Sequence, residues 1–502
     1  MNNLLVFPLL IPLFTAVALI FARKRILLQR WISLAGSLAN LAVAGLIVGQ
    51  VSSEGIQTLY MGGWLPPYGI VFVADMFAAL LVLSTALVGL ACLLYAFKTI
   101  GKERERHYFY PFFQFLTVGV SGSFLTGDLF NLFVCFEVML IASYALIVLG
   151  GTKRQLRETL KYILINIVSS TLFVAAVAYL YSVTGTLNMA HLSARIAELG
   201  QGGILTVIAV MFLIVFALKA GLLLFFWLPG SYSAPPTAVK AIFGALLTKV
   251  GLYAIVRTFT LLFYHEPGTT HAWIGGMAVA TMLLGGIGAV AYSNIHKIIN
   301  YNVVIGIGFI GFGIAVGNEA ALDGVIFYLL HDMPAKALLF LLGGMLVKTS
   351  GTSDLREMGG LIKRYPGLGW MFLIVTLALV GVPPLSGFPG KLLMIRGGLE
   401  SGNYFMTMIA ILSSLLILYS LIRVFIGAFL GEERTGKSDA TVNTDNTEKG
   451  RLSLRGMLPV AAGLLVLLIV IGLGAEGVNS FVSQAGDVLA SPDLYMEAVL
   501  KE

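Results

Sequence analysis

Residues 132–146 read LFVCFEVMLIASYAL, an apolar run interrupted by one charge, Glu137. Extended outward, the run reaches about twenty residues, the length at which a helix crosses the hydrocarbon of a bilayer. Runs of this kind recur along nearly all of the 502 residues. The composition is 58% hydrophobic and only 11% charged, whereas a soluble domain carries roughly a quarter charged residues. A soluble core could not absorb so many apolar segments. The chain is therefore expected to be an all-α polytopic membrane protein with about fourteen transmembrane helices.

The expected spans are roughly 4–22, 31–51, 75–97, 109–126, 128–149, 158–183, 203–230, 237–262, 271–291, 297–316, 320–347, 367–399, 402–430 and 456–475. The first lacks the basic leader and cleavage motif of a signal peptide, and Arg23, Lys24 and Arg25 follow it as an anchor. Basic clusters fall at Arg23 to Arg30, Lys98 to Arg106, Lys153 to Lys161, near Lys297, at Lys348 to Arg364 and at Arg434 to Arg455. With fourteen spans all of these lie on one side, which the positive-inside rule makes the cytoplasm. Arg195, Arg257 and Lys501 are the exceptions. Both termini then lie outside, and the net charge of +7 reads as a topology signal rather than a sign of nucleic-acid binding. Cys92 and Cys135 sit inside apolar runs without metal-ligand spacing and read as small buried residues.

Charges at mid-bilayer cost several kcal/mol and mark functional sites by default. Besides Glu137, Lys219 lies in LIVFALKAGLLLFF, Lys249 in FGALLTKVGLYAIV, and His331 and Lys336 in FYLLHDMPAKALLFLL, while Lys391 follows VPPLSGFPGK. A lone Lys–Glu pair could merely hold two helices in register. Asp332 could pair with His331 or Lys336, and Arg396 and Arg423, near span ends, read as structural or interfacial. Four buried lysines outnumber the acids available to neutralise them, which stability alone does not explain. Burial and neighbouring cations favour the neutral amine, and a nearby carboxylate favours the ammonium. A lysine held between these influences can load and release a proton, and a histidine titrating near neutrality can relay it. Residues on separate helices would need water to complete the path.

Two spans carry proline breaks: the seventh at FFWLPGSYSAPP and the twelfth at GVPPLSGFPG. Freed backbone groups inside lipid survive only when buried in protein or facing water. Corresponding broken spans suggest duplicated halves around an ion path. They lie five spans apart, an odd number, so the halves would be inverted five-helix repeats with Lys219 and Lys391 in equivalent helices. The expected organisation is 1–108 for helices 1–3 and an external loop, 109–262 and 271–430 for the repeats, 431–455 for a polar cytoplasmic linker, and 456–502 for helix 14 and an external tail. Within the first segment, Gly55 to Asp75 suggests a small hairpin.

These motifs resemble the antiporter-like subunits shared by Mrp-type multisubunit Na+/H+ antiporters and respiratory complex I. The resemblance rests on GDLFNLFVCFEVMLIASYAL, WLPGSYSAPPTAV with GALLTKVGLY, HDMPAKALLFLLGG and VPPLSGFPGK, and covers roughly residues 60–430. Within the family the chain looks most like the D subunits of Mrp antiporters. It is too short for the A subunit, no long lateral helix follows its last span, and Lys391 replaces the glutamate of the complex I subunit of similar length. The resemblance implies fourteen helices with inverted repeats, and a proton path through Glu137, Lys219, Lys249, His331 or Lys336, and Lys391. It also implies partner subunits of a multisubunit antiporter, residence in the bacterial plasma membrane, H+ and indirectly Na+ as transported ions, and no cofactor or metal site. A proton-pumping subunit of a redox-driven complex, a stand-alone solute transporter and a structural scaffold are the alternatives.

Overall fold

A computed structural model describes residues 2–432, 454 and 456–500. Most of the polar linker expected over 431–455, and Lys501, lie outside the described residues. Ten helices among these residues are long and apolar enough to cross a bilayer. They are α1 (Asn3–Phe21), α2 (Ile26–Glu54), α3 (Met76–Thr99), α5 (Leu129–Val148), α6 (Lys153–Thr184), α8 (Thr237–Leu261), α9 (Pro267–Ala291), α10 (Ile295–Val316), α11 (Glu319–Ser350) and α13 (Tyr404–Phe429). Three shorter apolar helices, α4 (Phe109–Leu125), α7 (Ile204–Ala220) and α12a (Pro366–Val380), fill the remaining expected places before the last span. That span is α14 (Leu458–Leu473), which bends by 79° into α15 (Ala475–Ala490). The tail expected after helix 14 is thus helical, and it ends in α16 (Pro492–Leu500).

The packing gradient follows the hydropathy. The hydropathic stretches of α8 and α11 are entirely buried within the protein, while those of α1, α2 and α6 are mostly open to the surroundings. The two central helices α8 and α11 carry Lys249, Asp332 and Lys336 in their interiors, whereas the charges of α6 fall in its first nine residues, outside its apolar stretch.

The two broken spans stop for the same local reason. Gly221 (φ +80°) follows α7 and Gly381 (φ +91°) follows α12a, a left-handed conformation that only glycine adopts without steric cost. Each end is then closed alike, by Leu222 N–H donating to Ala217 O (2.9 Å) and Val382 N–H to Leu377 O (3.0 Å). Beyond the second break the chain resumes as α12b (Gly387–Glu400).

A backbone pairing also recurs in the two halves. Leu129 N–H donates to Leu187 O and Met189 N–H to Gly127 O; likewise Ile295 N–H donates to Ser353 O and Leu355 N–H to Ser293 O. Bridges Asp128–Asn188 and Asn294–Asp354 complete the match. Positions 127–129 and 187–189 thus map onto 293–295 and 353–355 with a constant spacing of 166. On that spacing Ser170 of α6 stands where Lys336 stands in α11. Across the breaks the matching spacing is 160, read from Leu222 and Val382. Lys219 therefore precedes its break and Lys391 follows the other, at non-equivalent positions of equivalent helices.

Between α2 and α3, β1 (Gln57–Tyr60) and β2 (Val71–Ala74) form the hairpin suggested by the Gly and Pro pairs, with Tyr60 opposite Val71. Asp75 follows it directly. Its Oδ1 accepts from Ala78 N–H (2.9 Å) to cap α3, and its Oδ2 lies 2.6 Å from Arg257 of α8. The guanidinium also sits 5.0 Å from the Tyr495 ring centre of α16, and Tyr60 Oη donates to Val499 O (3.2 Å). Arg257, an exception to the charge alternation, is thus a buried structural cation tying the hairpin, α8 and the C-terminal helix together. Asp75→Asn should leave that cation without a counter-charge, at about 3–5 kcal/mol. Thermal unfolding of the purified protein should begin at a clearly lower temperature, and an unchanged transition would show that the pair contributes nothing.

Candidate proton-conducting site

In the first half, Glu137 of α5 and Lys219 of α7 do not touch; Ser170 of α6 stands between them. The Lys219 ammonium donates to Ser170 Oγ (2.9 Å), and Ser170 Oγ–H donates to Glu137 Oε1. Lys219 is 5% exposed and lies over the Phe136 ring at 5.5 Å. It occupies the last turn of α7, where the helix dipole and free carbonyls favour a cation. Glu137 is half-buried.

At the centre, α8 and α11 bring three charges together without exposure to solvent. Lys249 Nζ lies 2.7 Å from Asp332 Oδ2 and Lys336 Nζ 3.5 Å from Asp332 Oδ1. Lys249 also donates to Gly244 O (2.9 Å). That carbonyl belongs to a π turn at Phe243–Leu247, and such turns inside α-helices are frequent at functional sites. Lys336 donates to Asn302 O (2.9 Å). One carboxylate therefore serves two ammonium groups, one from each half of the protein.

His331 does not bond its neighbour Asp332. Its Nδ1 meets Ser386 Oγ at 2.8 Å, and its Nε2 has no protein hydrogen-bond partner among the described residues. Ser386 lies in the α12 break, so the imidazole reaches toward the same break that Lys391 follows. Lys391 donates to Val380 O (3.0 Å) and Ser414 Oγ (2.9 Å), with the Phe309 and Tyr328 rings at 5.0 and 5.8 Å. Val380 O is the last carbonyl of α12a. Although Lys219 and Lys391 stand at non-equivalent positions, each is tied to the carbonyl end of a broken span, Lys219 by its place in the last turn of α7 and Lys391 by its bond to Val380 O.

All six residues picked out from the sequence are buried or half-buried in this array. The structure joins Lys249 with Lys336, links Glu137 to Lys219 through a hydroxyl, and sets His331 beside Ser386. It shows no direct hydrogen bond from Lys219 to Lys249 or from Lys336 to Lys391 among the described residues. Asp332 is more central than its sequence context suggested. The signal was available: a carboxylate four residues before a lysine in an apolar helix. Ser170, Ser386 and Ser414 gave no such signal, because a serine in a membrane helix usually satisfies itself on its own backbone. Arg396 pairs with Glu400 at an exposed surface and Arg423 donates to Val290 O (2.7 Å), both outside the array.

The family model for the transmembrane part of NADH:quinone oxidoreductase and Mrp antiporters matches residues 126–417, which include every group of this array. The chain belongs to that family. Over the full length of both chains it is 53% identical to the D subunit of the Na+/H+ antiporter of Bacillus subtilis and 48% identical to that of Alkalihalophilus pseudofirmus. A chain of the Mrp complex from Dietzia sp. DQ12-45-1b superposes with a TM-score of 0.90 at 30% identity, each chain fully covered. This antiporter-like protein is thus a transporter component of the bacterial plasma membrane that works among other subunits.

Proposed function

We propose that the chain is the proton-translocating subunit of a multisubunit Na+/H+ antiporter that exports Na+ in exchange for H+, and that it acts as a transporter rather than an enzyme. The observation that carries this reading is the Lys249–Asp332–Lys336 cluster, in which a buried carboxylate spans the two halves and can hand a counter-charge from one lysine to the other. In the first half, Lys219 gives a proton to Ser170 Oγ as the hydroxyl releases its own to Glu137, so that the ammonium and the carboxylate both become neutral. The reverse transfer restores the charged pair. In the second half, Lys391 is the terminal donor or acceptor, and His331 links the α12 break to the centre. Between Lys219 and Lys249, and between Lys336 and Lys391, transfer needs a bridging water or a side-chain swing.

Sodium passage is placed elsewhere in the complex. A hard cation takes several oxygen ligands, and both oxygens of Asp332 already face lysines. The neighbours that this chain needs are the other components of the antiporter.

In everted vesicles, Glu137→Ala and Lys219→Ala should abolish antiport while the complex still assembles. Ser170→Ala should lower the rate by about 100-fold, the low end of the span for loss of one positioned proton-transfer group. Normal antiport in the Glu137 and Lys219 variants would refute the reading.

A further inference from the structure

We infer that the cytoplasmic face carries a binding site for the headgroup of an anionic phospholipid, between the start of α6, the α7 break and the turn joining α9 to α10. A cavity of about 630 Å3 opens there, with Arg154, Arg157, Lys161 and Lys297 around its rim. The one carboxylate in its wall, Glu158, is already taken by Arg157 (2.7 Å) and Lys161 (3.7 Å). Arg154 and Lys297 have no ion-pair partner among the described residues, and all four basic residues are exposed.

The helix itself adds to this field. Lys153, Arg154 and Arg157 fall within the first five residues of α6, and its first turn has no acidic residue. The dipole already makes a helix N-terminus positive, so cations there repel it and one another unless an anion intervenes. The Thr152–Gln155 capping box satisfies the Gln155 N–H, leaving the first N–H groups of the helix to face outward. A phosphate suits such an arrangement.

The lower wall identifies the anion as a lipid rather than free phosphate. It is apolar and open to the surroundings, as a surface for acyl chains would be: Leu164 is 56% exposed and Phe226 67%. The Tyr292 and Tyr301 rings stack at 5.6 Å beside the basic rim, at the depth where interfacial aromatics gather. Basic pockets between membrane helices on the cytoplasmic side hold acidic headgroups in this way. The site touches Pro229 and Ser233 of the α7 break, which Asn300 of α10 holds by bonds of 3.0 and 2.7 Å. A lipid seated here bridges α6, the break and α10.

The test uses the assembled antiporter complex, titrated in mixed micelles with fluorescent phosphatidylglycerol and, separately, with fluorescent phosphatidylcholine. The wild-type complex should bind phosphatidylglycerol in preference. The double variant Arg154→Gln/Lys297→Gln should weaken that binding by roughly tenfold or more, and Arg154→Lys/Lys297→Arg should retain it. Equal binding of both lipids, unchanged affinity in the Gln variant, or full displacement of phosphatidylglycerol by millimolar inorganic phosphate would each overturn the assignment. Polypeptide composition after purification shows that the variants assemble.

Discussion

Asp332→Asn is expected to abolish antiport in everted vesicles and to lower the unfolding temperature of the complex. The substitution is nearly isosteric, so packing is kept while the negative charge is lost. Lys249 and Lys336 then remain fully buried with no carboxylate between them. Removing one partner of a buried ion pair costs about 3–5 kcal/mol, and here two cations lose the same partner. The lysines can escape only by staying neutral, which ends their ability to carry a proton. Asp332→Glu keeps the charge and should recover part of the activity. Wild-type antiport together with an unshifted unfolding transition in Asp332→Asn would mean that the carboxylate is neither a counter-charge nor a link between the halves.

Lys391→Arg should be as inactive as Lys391→Ala, although it preserves the positive charge. An arginine does not release its proton in a protein. If Lys391 served only as a fixed cation for the end of α12a, a guanidinium could replace it by bonding Val380 O and Ser414 Oγ. If it loads and unloads protons, the arginine variant assembles, unfolds at a similar temperature and drives antiport at about 1% or less of the wild-type rate, a loss of two or more orders of magnitude as for other positioned acid–base groups. Antiport measured from the pH gradient in vesicles decides between the two. Near-normal exchange by the arginine variant would remove Lys391 from the proton path and leave it a structural role.

Hydropathy is a local property, which is why the spans and the buried ionisable residues were legible without coordinates. The helix breaks were legible too, because Pro383 and Pro384, and Pro235 and Pro236 in the other span, cannot continue a helix. The equivalence of Lys219 and Lys391 was only half legible. Their helices match, but the recurring bonds after each break place one lysine before it and the other after it. What they share is the carbonyl end of a broken helix, a property of the folded backbone. The hairpin before Asp75 followed from its turn residues, while the ion pair across to Arg257 depended on how α3 and α8 pack.

The line of buried charges in apolar segments such as LFVCFEVMLIASYAL follows from sequence by itself, because lipid permits few charges and each one stands out. Their partners were decided only by tertiary structure. Glu137 meets Ser170 rather than Lys219, His331 meets Ser386 rather than Asp332, and Asp332 serves two lysines on different helices. A hydroxyl carries no charge to mark it, and hydropathy does not encode which faces of separate helices meet. Packing settles both, by choosing which polar groups share the same dry interior.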